Sequence, residues 1–310
     1  MKEKIKTFFA ICVLVLTVPY IVTLLFQGDK TSLESGKVQE ILGEDSFEDL
    51  QAEGKDMNVE EYLAGVLAKE IPLDYHIETI KAQAVIARTA LTVALESEDV
   101  NLPESMSREE MLELWGREGF EENYRVIEEA VTATKGEILI YKEEPIQAAF
   151  HAVSAGKTRN AKEALQKEEE PYLDSVESQL DIPCSDYLKV VFLEKNEYIE
   201  KIKKACPELE AAEDNIMELV TVLKRDSSDY VTEIKIGEKV VTGEEFRGYL
   251  NLNSACFYLK EVEGKVRIVT KGLGHGLGLS QYGANELAKE GKDYKEILQY
   301  YYKDIEIKKN

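Results

Sequence analysis

Between Gly272 and Gly291 the chain reads GLGHGLGLSQYGANELAKEG. Gly272, Gly274, Gly276, Gly278 and Gly283 surround the polar set His275, Ser280, Gln281 and Tyr282. Glycine at alternate positions suits strained backbone or the close approach of a ligand, because no Cβ stands in the way. The run then turns into a helix, Ser280 to Glu290, which leaves the polar groups at a loop-to-helix junction, where binding and catalysis tend to collect. Glu70 lies far upstream, in Ala68-Lys69-Glu70-Ile71-Pro72. The spacing puts it in the last turn of a helix, where the negative end of the macrodipole disfavours a carboxylate. Apolar neighbours on that helix, with Ile71 and Pro72, desolvate it further, and both effects raise a carboxyl pKa. A carboxylic acid still protonated near neutral pH is what a general acid for glycosidic cleavage requires. Taken alone, a glutamate near a helix end more often points into water.

Other segments carry polar groups in apolar settings. In Lys81-Ala-Gln-Ala-Val-Ile-Ala-Arg88-Thr89, Gln83 and Arg88 interrupt a face of small residues, and a buried polar group there needs partners. The segment His151-Ala-Val-Ser-Ala-Gly-Lys-Thr158 follows an apolar strand, and Ser154 with Lys157 has the S-x-x-K spacing of serine acyl-enzymes. The companion S-D-N and K-T-G motifs are missing, which weighs against a serine nucleophile. A metal reading requires His151, His275 and either His76 or a cysteine to converge in space, and the spacing gives no sign of that.

The elements that must position these groups are legible in part. Val59, Tyr62, Leu63, Val66 and Leu67 keep helical spacing behind Asn58 as N-cap, and Pro72 ends that helix at or before Ile71. A second helix, Ile77 to Glu96, is rich in alanine and leucine and reads as buried. Ser107 with Glu110 forms a capping-box pattern for a third helix through Trp115, and a fourth runs from Glu121 to Thr134. Strands follow at Glu137 to Tyr141 and Ile146 to His151, with a turn at Glu144-Pro145 between them. Asn160 to Asp229 is charged and reads as mostly helical or irregular. Strands return at Tyr230 to Ile236, Lys239 to Val241, Ala255 to Lys260 and Lys265 to Thr270, with Gly237 and Gly264 at tight turns. A helix, Tyr294 to Tyr302, reads as the last element. Helices and hairpins segregate rather than alternate, so the class expected is α+β.

The 310 residues carry a net charge of −22, which argues against nucleic acid as a partner, since phosphate binding needs a basic patch. Thr7 to Phe26 contains no charged residue and follows Lys2, Lys4 and Lys6. That length spans a bilayer as a helix, and the lysines set residues 1–6 on the cytoplasmic side. The run exceeds the h-region of a cleaved signal, so residues 7–26 read as a single-pass anchor and residues 27–56 as an acidic stalk. The folded part is then 57–310, outside the cytoplasm. Cys184, Cys206 and Cys256 are too scattered for a disulfide framework or a zinc motif.

Four segments, taken in order, resemble one family. They are Glu60 to Pro72 (EEYLAGVLAKEIP), Lys81 to Thr89 (KAQAVIART), Phe150 to Thr158 (FHAVSAGKT), and Gly274 to Ala284 (GHGLGLSQYGA) followed by Tyr300 to Tyr302. Together they resemble the stage II sporulation protein D (SpoIID) family of membrane-anchored lytic transglycosylases, with the stretch 160–229, a possible inserted subdomain, matching least. The resemblance implies cleavage between N-acetylmuramic acid and N-acetylglucosamine in peptidoglycan glycan strands stripped of stem peptides. The sugar's own 6-hydroxyl attacks in place of water and leaves a 1,6-anhydro product. The family's catalytic glutamate falls on Glu70, while Gln83, Arg88, His151, Ser154, His275, Ser280, Gln281 and Tyr282 are expected to line the cleft and hold the substrate. The resemblance further implies work during engulfment, between the mother-cell and forespore membranes, beside a sporulation amidase and a membrane protein that anchors the pair. Some members bind zinc, but the ligand cluster is not found in this sequence, so no cofactor is expected. The chain departs from the family pattern at Ile71 (often Met), at Ala90 (often Tyr), and in His151 to Gly156, which lacks two hydroxyls of the usual His-Ser-Thr-Ser-Gly-Gly. These departures keep open a second reading, a non-catalytic glycan-binding scaffold using the same cleft.

Overall fold

The computed structural model describes residues 59–97, 101–165, 170–212 and 215–309. The apolar run 7–26, the stalk 27–56 and the cap expected at Asn58 lie outside them. Among the described residues no helix is long and apolar enough to cross a membrane.

Helix α1 (Val59–Glu70) ends where expected. Ile71 makes the final helical bond, to the Leu67 carbonyl at 3.2 Å, and Pro72, without an N–H, cannot continue the ladder. Helix α2 (Ile77–Glu96) follows and is capped by His76, whose ring accepts from the Glu78 N–H. Ser107 and Glu110 form the expected capping box, with Glu110 N 3.2 Å from Ser107 Oγ and Ser107 N 2.8 Å from Glu110 Oε2. The two helices expected after it follow one another as α3 (Arg108–Ala133), separated by a kink at Gly116, whose φ of 67° and ψ of 176° are not helical. A non-glycine residue is strained at such a φ, so the break falls on the glycine.

Strand β1 (Glu137–Tyr141) pairs antiparallel with β2 (Glu144–Pro145). The turn lies at Lys142-Glu143, with φ of 51° and 73°, and not at Glu144-Pro145. Two positive φ values give the turn whose twist matches a two-residue hairpin. The strand expected from Ile146 shrinks to β3 (Phe150–His151). After α4 (Ala161–Leu165) and a single turn at Gln179–Asp181, a second layer begins with β4 (Leu188–Glu194) and α5 (Lys195–Ile202). It continues through β5 (Val220–Arg225), β6 (Val231–Ile236), β7 (Lys239–Thr242), α6 (Gly243–Leu250), β8 (Phe257–Val262) and β9 (Lys265–Lys271). Strands β4 and β5 lie in the stretch expected to be helical or irregular. One face of β4 is exposed, so its sequence lacks a clean apolar–polar alternation. The chain closes with β10 (Leu279–Ser280), α7 (Gln281–Lys289), α8 (Tyr294–Tyr301) and β11 (Glu306–Lys309). A strand is therefore the last element, and it pairs antiparallel with β1.

The three-stranded sheets run β11-β1-β2, β4-β9-β8 and β5-β6-β7, all antiparallel, while β3 and β10 form a short parallel pair. This is a mixed fold of the expected α+β kind. Two cores hold it. Val85, Ile86, Leu139, Leu279, Leu298 and Tyr302 belong to the first, beneath α2, β1, α7 and α8. Tyr198, Ile202, Val231, Phe246, Phe257 and Ile268 belong to the second, between Leu188 and Lys271. The second core is thus inserted between the two halves of the β3–β10 pair.

Candidate functional site

Three elements meet at Glu70. The residue closes α1 and is only half-buried. Gln83, in the second turn of α2 and fully buried, donates from Nε2 to Glu70 Oε2 at 2.9 Å. Gln281, the first residue of α7, donates from Nε2 to the Glu70 carbonyl at 2.8 Å and to Gln83 Oε1 at 3.2 Å. Each amide orients the next, and Glu70 Oε1 has no partner among the described residues. Burial raises the Glu70 pKa from 4.5 to about 7 against the opposing pull of the Gln83 hydrogen bond. The site therefore holds a carboxyl that exchanges its proton near neutrality, with one oxygen fixed and the other open.

Directly behind Gln281 lies a second buried carboxyl, Asp181, which the sequence reading missed. Asp181 Oδ2 accepts from Ser154 Oγ at 2.5 Å and from Ser178 Oγ at 2.6 Å, and its Oδ1 accepts from Ser280 Oγ at 2.8 Å. Burial pushes its pKa up, opposed by the three hydroxyls. Ser154 and Ser280 are fully buried. Their hydroxyls turn to Asp181 and away from any sugar, which corrects their expected place in the cleft. Ser154 also has no lysine to activate it, because Lys157 Nζ sits 3.7 Å from Glu177. Ser280 is the N-cap of α7, so the Asp181 knot fixes the helix start that carries Gln281. Asp181 lies in the charged stretch that offered no motif.

Arg88 is corrected as well. It is 2% exposed, and its N–H groups go to the Glu60 carboxylate at 2.7 and 3.1 Å, to Thr134 Oγ1, and to the carbonyls of Glu137 and Val131. All five donors of the guanidinium are spent within the protein, tying α1, α2, α3 and β1 together. None remains for substrate.

The glycines of the loop before α7 serve a close approach, but to the protein's own chain. A Cβ on Gly278 (φ +67°) meets the Ala149 carbonyl oxygen at 1.9 Å, and one on Gly274 (φ +113°) meets His151 Cβ at 2.7 Å. The loop can therefore pack against β3. The packing brings His151 and His275 together, with ring centroids 5.8 Å apart. His151 is buried with Nδ1 3.0 Å from the Leu277 carbonyl, which makes Nδ1 the protonated nitrogen and leaves Nε2 without a partner. Burial, with His275 beside it, lowers its pKa to about 3, so it stays neutral. Burial also lowers the pKa of His275, whose Nδ1 accepts from the Leu277 N–H at 3.1 Å. For zinc these groups are a poor fit: each imidazole spends a nitrogen on the Leu277 backbone, His76 caps α2, and no group of three or more His, Cys, Asp or Glu among the described residues is placed to hold an ion.

Tyr282 is half-buried and its N–H donates to the Ala152 carbonyl at 3.0 Å. Tyr75, on the loop after Glu70 and not anticipated from sequence, is close enough to Tyr282 and Cys184 to feel their charges. Burial first, then Cys184, Asp74, Tyr282 and Asp181, raise its phenol pKa to about 12. Arg159, also unanticipated, joins the two cores. Its Nε is 2.6 Å from Asp226, its Nη1 is 2.9 Å from Glu244 and 3.2 Å from the His275 carbonyl, and its guanidinium stacks on Tyr230.

Comparison with known proteins places this geometry in context. A family model described as stage II sporulation protein (SpoIID) matches residues 50–141, the stretch that holds Glu70 and Gln83. Stage II sporulation protein D of Bacillus amyloliquefaciens is 31% identical over 339 residues, covering 99% of this chain and 96% of that protein. Its counterpart from Bacillus subtilis (strain 168) is 32% identical over 338 residues, with the same coverage of both chains. An amidase enhancer of Bacillus subtilis (strain 168) is 25% identical over 288 residues, covering 77% of this chain and 39% of that protein.

Proposed function

This chain belongs to the stage II sporulation protein D family of sporulation proteins, and we propose that it acts as a lytic transglycosylase with Glu70 as its proton donor and acceptor. The observation that carries the proposal is the half-buried Glu70 carboxyl, raised to about 7, with Oε2 held by Gln83 and Oε1 open. The substrate is a peptidoglycan glycan strand free of stem peptides. Protonated Glu70 gives its proton to the oxygen linking N-acetylmuramic acid to N-acetylglucosamine, and that C–O bond breaks as positive charge develops on the muramyl ring. The resulting carboxylate takes the proton of the 6-hydroxyl as that oxygen closes on the anomeric carbon, giving the 1,6-anhydro product. One carboxyl serves both steps and ends as it began, so no second acid is needed. Gln83 keeps the carboxyl turned, and Gln281 fixes the backbone beneath it. His275 and Tyr282, both partly exposed, are the groups of the expected cleft set best suited to meet sugar hydroxyls.

The apolar run 7–26 supports an extracytoplasmic domain on a single-pass anchor, and the family supports work at the engulfing septum during sporulation. The likeness to an amidase enhancer supports an amidase acting beside it to strip stem peptides from the strands. Purified chain incubated with denuded strands is expected to release anhydro-muramyl products visible by mass spectrometry, and Glu70→Gln to release none. Binding of strands without new chain ends, by wild type and variant alike, fits a glycan-binding scaffold instead.

A further inference from the structure

Among the described residues the outer face of the β4-β9-β8 sheet is exposed along β4, while Arg225 and Lys271 lie over Tyr258 on its β8 side. On the inner face Leu193, Val266, Ile268 and Phe257 are buried in the second core. The residues between them turn outward. Along β4 these are Leu188, Val190 and Phe192, which are 53%, 47% and 53% exposed. The register sets Val190 beside Val269 and Val269 beside Tyr258, so the apolar stripe continues across the sheet. The next row is basic: Phe192 pairs with Arg267, and Arg267 with Lys260. Neither cation meets a carboxylate among the described residues, and Arg267 Nε is buried without a hydrogen-bond partner. Lys271 borders the other end, 5.1 Å above the Tyr258 ring. Strand β4 is also an edge, with β9 on one side and no strand on the other among the described residues.

Proteins generally blunt such edges with proline, bulges or inward charges, because a long apolar edge recruits another strand. Over Leu188–Glu194 there is neither proline nor bulge; its charges are Lys189, on the inner-facing register with Leu193, and Glu194 at the far end, and three apolar side chains stand on its open face. We propose that β4 and its outer face dock an extended acidic segment of a second protein. This segment adds as a strand beside β4, sets alternate apolar side chains on Val190 and Phe192, and brings carboxylates to Arg267 and Lys260. Charge complementarity selects this occupant. A basic rim on a chain of net charge −22 is a local exception, and it fits an acidic ligand. A second copy of this chain sets like basic rims against each other. An anionic lipid surface leaves the main-chain groups of the edge unpaired.

The test uses full-length chain in detergent and a dilute fluorescein-labelled peptide of ten residues, alternating valine and glutamate with blocked ends. Saturable binding is expected by fluorescence anisotropy. It should weaken at least about tenfold when lysine replaces glutamate in the peptide, when every second peptide amide is N-methylated, and in the Val190→Glu chain. Both altered side chains are solvent-facing, so circular dichroism should be unchanged; Phe192→Thr serves as a second variant should Val190→Glu misfold. Equal binding of the N-methylated peptide, equal binding by both variants, or no binding up to millimolar peptide overturns the proposal. So does self-association seen by sedimentation that Val190→Glu abolishes, which assigns the face to a second copy. Capture by phosphatidylglycerol vesicles that Val190→Glu alone removes assigns it to lipid.

Discussion

Glu70 and Asp181 are two desolvated carboxyls linked through Ser280 and Gln281, yet their surroundings differ in one decisive respect. Glu70 receives a single side-chain hydrogen bond and keeps one oxygen open, whereas Asp181 receives three hydroxyls and is fully buried. Burial raises the pKa of both. At Glu70 the desolvation is left mostly uncompensated, so the group hovers near neutrality and can pass a proton outward. At Asp181 the lone pairs are occupied and no route to substrate exists, so the same chemistry makes a structural knot. The number of donors and the access of one oxygen separate a reactive carboxyl from a scaffolding one, and burial alone does not.

The comparison breaks most visibly at Glu70. Glu70→Gln should reduce turnover by about three orders of magnitude, the scale of a lost general acid. The same change should make the fold more stable, measured by urea unfolding across pH. The folded-state pKa of about 7 lies above the ordinary 4.5, so the protonated side chain is favoured in the fold. Its contribution is fully present below 4.5 and is lost as pH rises through 7. The glutamine variant, with no proton to lose, should therefore gain on wild type over that interval, by at most about 3 kcal/mol at pH 8. A variant that keeps wild-type turnover ends the assignment of Glu70.

Asp181→Ala should act in the opposite sense, on folding first. Three buried hydroxyls lose their acceptor, and the expected destabilisation is about 3–5 kcal/mol by urea unfolding. Ser154→Ala alone should cost about 1–2 kcal/mol and add little on top of Asp181→Ala. Strict additivity of the two changes argues against a coupled knot.

Gln83→Leu sharpens the contrast with a smaller effect. It deletes the hydrogen bond that favours ionised Glu70, so the carboxyl pKa moves higher still. Activity should then fall with rising pH about one unit later than in wild type, read from the pH dependence of kcat/KM. A profile that stays put or moves to lower pH contradicts the role given to Gln83.

Much of this molecule was legible in local pattern. Helical spacing with Pro72 placed the end of α1, and the helix end with its apolar neighbours already implied a raised Glu70 pKa, because those effects act within one turn. The Gly237 and Gly264 hairpins and the full extent of α2 followed from turn chemistry and periodicity in the same way. Strands β4 and β5 did not, because their apolar residues face both core and solvent. Nor could spacing tell which polar residues face the cleft. Gln83 and Arg88 sit five positions apart on one helix, yet one points to Glu70 and the other spends every donor on α1, α3 and β1.

Local periodicity and turn residues, short-range effects of the backbone, were enough to define helices, hairpins and an acid at a helix end. The partners of that acid were settled by packing alone: Gln281 reaches Glu70 across 211 positions of chain, and Ser280 reaches Asp181 across 99. Contacts of that range depend on how β3, β10 and the glycine loop close against one another, and no spacing rule within one segment encodes that closure.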